Sequence, residues 1–273
     1  MDLKNQCKNL WLSTFSDTKE FVDFYFDRIF PKSLNYTIFS EENTLVATLQ
    51  AIPFDIQTSG SKIKSAYLSG VATAEVYRGR GFMRNLLDKT HIDLMQKGYD
   101  CSFLIPAEEY LFDVYRKFGY QTMFWKDYNV EVVSKLTDEN IDVVVFDRNM
   151  ISKDLFDFFA EKSIAAGVLF SEQYFEVLLD AFLLEGSPIF VAYEAGKVVG
   201  EAFVSSSGVV LKIIARDLSV RQSLLRRISL FCDSEKVTIK SNERKIPYAM
   251  VKPLCSESID IPDGASISLM LDE

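Results

Sequence analysis

The sequence predicts an α/β (α+β) fold in two lobes of similar plan, and three observations predict it. Hydrophobic spacing switches along the chain between the two-residue period of strands and the 3.6-residue period of helices. The order helices, strand meander, helix, strand occurs in the first half and recurs less clearly in the second. The 273 residues, 48% hydrophobic and 25% charged, suffice for one large domain or two of ordinary size. Each lobe is expected to be a mixed, mostly antiparallel twisted sheet flanked by helices, over residues 1–134 and 135–273.

Two helical stretches open the chain, Lys4 to Thr14 and Asp17 to Phe30, the second with Asp17 as N-cap and Pro31 just beyond its end. Three strand runs follow, Asn35 to Ser40, Thr44 to Gln57 and Lys62 to Thr73, with "EEN" and "TSGSK" as turns. From Gly79 the period changes: Met83, Leu86, Leu87 and Leu94 fall on one helical face, which ends near Gly98. A short apolar strand, Cys101 to Ile105, a helix from Tyr110 to Phe118 closed by Gly119, and a strand from Gln121 to Val133 complete the lobe.

In the second lobe helices are expected at Lys153 to Ala166 and Glu172 to Leu184. Strands are expected at Ile189 to Tyr193, Val198 to Ser205 and Val209 to Ala215, the first two joined by "EAGK". A helix with Leu224, Leu225, Ile228 and Phe231 on its inner face precedes strands at Val237 to Lys240, Tyr248 to Lys252 and Ile267 to Leu271. The phenylalanines of "DLFDFFAEK" have helical spacing and read as core, as do Trp11 and Trp125. His91, mid-helix, reads as a surface or boundary residue.

Composition excludes several chemistries. Four cysteines without CxxC or Cys/His spacing suggest neither zinc nor a disulfide framework. One histidine leaves no material for a Ser/His/Asp triad or a multi-histidine metal site. A net charge of −9 argues against sequence-independent binding to nucleic acid. No apolar run reaches the roughly 18 residues that span a bilayer, and the N-terminus lacks the features of a secretory signal, so no membrane association and a cytoplasmic location are expected.

The stretch "VATAEVYRGRGFMRNLL", Val71 to Leu87, carries Arg78, Arg80 and Arg84 with Gly79 and Gly81 between a strand and a helix. A helix start presents unpaired N–H groups and partial positive charge, which suits phosphate. Glycine gives room for close approach, and arginine adds charge-assisted donors. The residues alone leave two readings open, a phosphate seat or a tight turn with solvated arginines. The corresponding corner of the second half has Asp217, Leu218, Ser219 and Val220 in place of Arg78 to Gly81, so it is not expected to share the role.

The segment resembles the pyrophosphate-binding signature Q/R-x-x-G-x-G/A of the GNAT superfamily of acyl-coenzyme A dependent N-acetyltransferases. Arg78 and Gly81 fill its first and fourth positions, and Met83 stands where a small residue is usual. The arginine-rich, bulkier loop is similar to that of the Eis-like, tandem-lobe branch. "FLIPAEEYLFDVYRKFGYQ", Phe103 to Gln121, resembles the superfamily's strand, helix and Y-x-x-F-G-Y/F signature, and "IPYAMVKPL", Ile246 to Leu254, a C-terminal strand of Eis-like proteins.

This resemblance implies an N-acetyltransferase that moves the acetyl group of acetyl-CoA to a primary amine, small molecule or peptide, by direct transfer. Residues 1–134 would form the GNAT domain with the acetyl-CoA site, and 135–273 a degenerate GNAT-like domain. Backbone groups of Val71, Ala72 and Thr73 would hold the pantetheine arm, a use of exposed strand groups like peptide β-augmentation. Arg78, Gly79, Arg80, Gly81, Phe82 and Met83 would surround the pyrophosphate, with Arg84 on the nucleotide phosphate. Tyr115 matches the residue that protonates the departing thiolate, and a phenol titrating near 10 stays protonated at neutral pH. The terminal carboxylate serves as base in Eis-like enzymes, which makes Glu273 a candidate; Glu108 and Glu109 are others, although glutamates at a helix start are also simple dipole partners. Tyr120 reads as packing. A module that binds acyl-CoA without turnover is the alternative, and self-association stays open.

Overall fold

The computed structural model describes residues 2–134, 138–162, 166–255 and 259–267. In chain order the helices are α1 (Leu3–Thr14), α2 (Lys19–Arg28), α3 (Phe82–Gln96), α4 (Glu109–Arg116), α5 (Lys153–Lys162), α6 (Glu172–Leu184) and α7 (Leu218–Phe231). The strands are β1 (Leu34–Phe39), β2 (Leu45–Gln57), β3 (Lys62–Thr73), β4 (Cys101–Leu104), β5 (Gln121–Val132), β6 (Asp142–Val145), β7 (Gly167–Leu169), β8 (Ile189–Glu194), β9 (Lys197–Val204), β10 (Val210–Ala215) and β11 (Lys236–Pro253). The chain divides into two compact units, Met1–Met123 with Tyr248–Asp260, and Phe124–Pro247 with Ile261–Glu273.

In the first unit the sheet runs β1, β2, β3, β4 and then the last residues of β11. The β1/β2, β2/β3 and β4/β11 pairs are antiparallel and β3/β4 is parallel, so the sheet is mixed and mostly antiparallel. One face packs on α3 and α4 through Leu49, Ala51, Leu68, Leu86, Leu87, Leu94, Tyr115, Tyr120 and Met250. Aromatic side chains of α1 and α2 form a second cluster, with the Trp11 ring 4.6 Å from Tyr25 and 5.8 Å from Phe26. The N-cap of α2 is Thr18, which accepts from the Phe21 N–H, and not Asp17. Asp17 instead accepts the indole N–H of Trp11 at 2.7 Å, since a buried indole needs a partner.

In the second unit β10 runs parallel to β11, and β9/β10, β8/β9 and β6/β8 are antiparallel. Gly200 lets α7 approach β9 closely: a Cβ there would lie 2.6 Å from Val220 Cγ1. The phenylalanines of α5 and α6 meet on β9, with Phe159 5.8 Å and Phe182 5.5 Å from Phe203. The "EAGK" turn places Ala195 and Gly196 at φ 48° and 76°, which is hairpin turn geometry.

The two strands expected at Val237 to Lys240 and Tyr248 to Lys252 are one continuous strand, β11. The charged stretch between them reads as a turn in isolation. It holds as a strand because β5 lies beside it, with Lys245 paired to Asp127 and the Arg244 guanidinium 4.9 Å over the Trp125 ring. The strand expected at Ile267 to Leu271 lies, beyond Ile267, outside the described residues, as do residues 163–165 of the helix expected to reach Ala166.

Candidate active site

Strand β3 pairs with β4 only from Ser65 to Tyr67, against Cys101 to Phe103. Beyond that register Leu68 to Thr73 continue along β2, and among the described residues no pairing on the β4 side accompanies them. The strand also changes course there. The register slips between Thr48 and Gln50, so Gly70 and Val71 together oppose Leu49, and Gly70 sits at φ +59°. This is a β-bulge, which re-aims backbone groups and is common beside active sites. A Cβ at Gly70 would lie 2.2 Å from Trp11 Cζ3, so the indole of α1 occupies the space that glycine opens. A glycine inside a strand pattern signals such a bulge; the sequence reading passed over it.

Past Thr73 the chain makes a single 3₁₀ turn, Glu75–Tyr77, and reaches the arginine corner. Arg78 turns back, its Nε–H donating to the Thr73 carbonyl at 3.1 Å, so one of its donors ties the corner to β3 and the others stay available. Gly79 and Gly81 have φ of +75° and +83°, where glycine is strongly preferred, and a Cβ at either would meet nothing within 4 Å. Gly81 is the N-cap of α3, and among the described residues no side chain caps that helix start. Its first N–H groups therefore have no side-chain acceptor among the described residues, and they carry the partial positive charge of the helix start.

The arginines frame this opening. The Arg80 guanidinium lies 5.5 Å over the Tyr77 ring and that of Arg84 4.9 Å over Phe118, at the end of α4. Phe82 and Met83 are half-buried and pack, with Val71, on the core cluster that contains Tyr115. The bulk of Met83 is thus taken up by the core, while its N–H stays in the first turn of the helix. Ala72 is buried and Thr73 half-buried.

Tyr115 lies in the last turn of α4, buried, its ring T-shaped to Tyr120 with centroids 5.7 Å apart. Burial, reinforced by Tyr110, pushes its phenol well above the usual range, so the oxygen carries its proton throughout neutral pH. Glu108 and Glu109 stand exposed at the start of α4, and Glu273 lies outside the described residues.

His91 is not at the surface. It is buried on the inner face of α3, where its Nε2 lies 2.9 Å from the Tyr120 hydroxyl, which is also 2.8 Å from Ser102 Oγ. Burial, with Lys252 nearby, lowers its pKa to about 3, so the ring is neutral. Period-3.6 spacing carried this signal, because His91 falls four residues after Leu87 on the apolar stripe.

The second unit builds its equivalent corner differently. The carboxylate of Asp217 caps α7 by accepting the Val220 N–H at 3.0 Å, and Arg216 pairs with Asp217 and Glu194. That helix start is already occupied by an anion of the chain itself.

Residues 2–123, nearly the span of the first stretch of the first unit, match the family described as acetyltransferase (GNAT) domain. Residues 2–123 are thus similar to a GNAT acetyltransferase domain. Solved structures extend the likeness of fold beyond these residues. A conserved protein of Enterococcus faecalis V583, described as a probable N-acyltransferase, aligns over 92% of this chain and 70% of its own at 16% identity, with a TM-score of 0.77. Eis1 from Mycobacterium abscessus aligns over 92% and 70% at 10% identity, TM-score 0.66. A tandem GNAT protein from the clavulanic acid biosynthesis pathway aligns over 93% and 96% at 8% identity, TM-score 0.55. No protein of curated function matches the chain. The two compact units agree with the two-lobe plan expected from the sequence, and the family match falls on the first of them.

Proposed function

We propose that the first lobe transfers an acetyl group from acetyl-CoA to a primary amine, small molecule or peptide, with both substrates held together in the cytoplasm. The observation that carries the reading is the uncapped start of α3 at Gly81, reached from a strand whose last residues run free of β4. The residues present fit such a co-substrate: free strand groups for an extended arm, and helix N–H groups with three arginines for phosphates. When bound, acetyl-CoA supplies an acyl group activated as a thioester.

The chain's own residues then have separate tasks. Backbone groups of Val71, Ala72 and Thr73 hold the arm along β3. The N–H groups of Gly81, Phe82, Met83 and Arg84, with Arg78, Gly79 and Arg80, hold the diphosphate, and the Arg84 side chain takes the nucleotide phosphate. Tyr115 holds a proton for the departing sulfur. Glu108, Glu109 or Glu273 takes the proton of the acceptor ammonium. By this reading residues 1–134 carry the reaction, and 135–273 are a degenerate lobe whose helix start is closed by Asp217.

Calorimetry with acetyl-CoA tests the seat, and release of free thiol over a panel of primary amines tests the reaction. The Tyr115→Phe chain is expected to bind acetyl-CoA unchanged and to lose at least about 100-fold in turnover. No heat at millimolar acetyl-CoA refutes the proposal. Binding without turnover on any amine leaves an acyl-CoA-binding module.

A further inference from the structure

We infer that Tyr120 is the positioning residue for Tyr115, the fixed point that holds the end of α4 and its phenol in place. The inference rests on the reading of Tyr115 as the proton donor, and it concerns a residue whose own oxygen has no access to a substrate.

Tyr120 is 1% exposed. Packing alone would be served by phenylalanine, and a buried hydroxyl is costly unless it is hydrogen-bonded. This hydroxyl has two partners from two different elements, His91 on α3 at 2.9 Å and Ser102 on β4 at 2.8 Å. Such a fully bonded group fixes a ring against sliding as well as against rotation.

What the ring is fixed against is the helix end that carries Tyr115. The two rings meet edge to face at 5.7 Å, and the Tyr120 N–H donates to the Tyr115 carbonyl at 3.3 Å. The chain reaches Tyr120 from α4 through Gly119, at φ +88°, so little slack separates the two tyrosines. A further tie comes from the far end of the chain. The Lys252 ammonium donates to the Phe118 carbonyl at 2.5 Å, a cation on the closing turn of α4. Lys252 is the strand partner of Ser102, so both ties originate on one pair of neighbouring strands. Helix α4 therefore ends in a frame made of buried His91, Ser102 and Tyr120 and half-buried Lys252, none of which needs to touch the reacting atoms.

The test is Tyr120→Phe, which deletes one oxygen, with Ser102→Ala as a second variant that removes one of the two hydroxyl partners. Two readouts are taken on the full chain: steady-state kinetics, and NMR of ring-labelled tyrosine with the Tyr115 signal assigned by its loss in Tyr115→Phe. In Tyr120→Phe the Tyr115 ring signal is expected to shift and broaden. Turnover is expected to fall by roughly 10- to 100-fold, as for a slightly misplaced catalytic group. KM for acetyl-CoA should stay within about twofold, because the phosphate seat is untouched. Ser102→Ala should lie between the two chains on every measure. A Tyr115 signal unchanged in Tyr120→Phe overturns the inference, and so does unchanged turnover in an active enzyme. If the wild-type chain binds acetyl-CoA and acetylates no amine, the acyl-transfer reading fails by itself, and the Tyr115 signal alone decides this one.

Discussion

Glu201, in the middle of β9, is fully buried, and neither of its carboxyl oxygens has a hydrogen-bond partner among the described residues. Burial raises its pKa well above the usual glutamate range, and the Lys212 charge offsets this only in part. Tyr193 shares the same neighbourhood and is itself raised. The sign of the linkage follows. The folded state keeps the proton longer than the unfolded one, so the contribution to stability is complete below about pH 4.3, where both states are protonated. It is lost as pH rises toward the raised folded value, at up to about 1.4 kcal/mol per pH unit. The wild-type melting temperature should therefore fall between pH 5 and 8, while that of Glu201→Gln stays flatter. Parallel melting curves for the two chains would show that the carboxyl is not responsible. Single residues were unevenly legible. Arg78, Gly81 and Tyr115 belong to spaced patterns, which is why the resemblance singles them out as candidates. Glu201 could not be read in this way, because a lone polar letter among apolar ones does not say whether the fold supplies a partner; His91 shows its burial only through its place on the apolar stripe, which leaves its partner unnamed.

At the level of elements, α3 and α7 carry the same strand-to-helix plan and differ in what stands at the helix start. One opens on a glycine at φ +83° without a side-chain cap, the other on a carboxylate that caps it. Placing a β-branched side chain at Gly81 is thus a backbone problem before it is a crowding problem, since no atom lies within 4 Å of its Cβ. Gly81→Val is expected to cost about 1–2 kcal/mol from the left-handed conformation alone. It should also weaken acetyl-CoA binding measurably, because the side chain would stand before the open N–H groups. Calorimetry and thermal melting on the same sample check both; full affinity in a destabilised chain would detach the glycine from the ligand. Element assignment from sequence succeeded where the period was long and uninterrupted, as at α6, whose bounds Glu172 and Leu184 are the expected ones. It failed where support is tertiary. The half-exposed β6, Asp142–Val145, shows no alternation, and the middle of β11 is a strand only by virtue of its neighbour.

At the scale of the whole molecule, the sequence pattern was enough for two lobes of mixed sheet but placed their boundary by a single cut, because linear periodicity cannot show a strand that returns. In the structure Tyr248–Asp260 belongs with the first unit, where Met250, Val251, Lys252 and Pro253 pair with Leu104, Phe103, Ser102 and Cys101. Met250 is fully buried in the core cluster that includes Tyr115. A fragment of residues 1–134 would leave that flank of β4 without its hydrogen-bonding neighbour and the end of α4 without Lys252. Such a fragment is expected to melt without a cooperative transition, and a cooperative melt near that of the full chain would contradict this. The returning strand also sets a schedule. Leu104 and its partner Met250 lie 146 positions apart, so at about 5–20 residues per second the ribosome needs roughly 7–30 s between making the one and the other. Throughout that interval of synthesis the nascent first unit waits with a central strand half-covered, and the cell must keep it from pairing with a stranger.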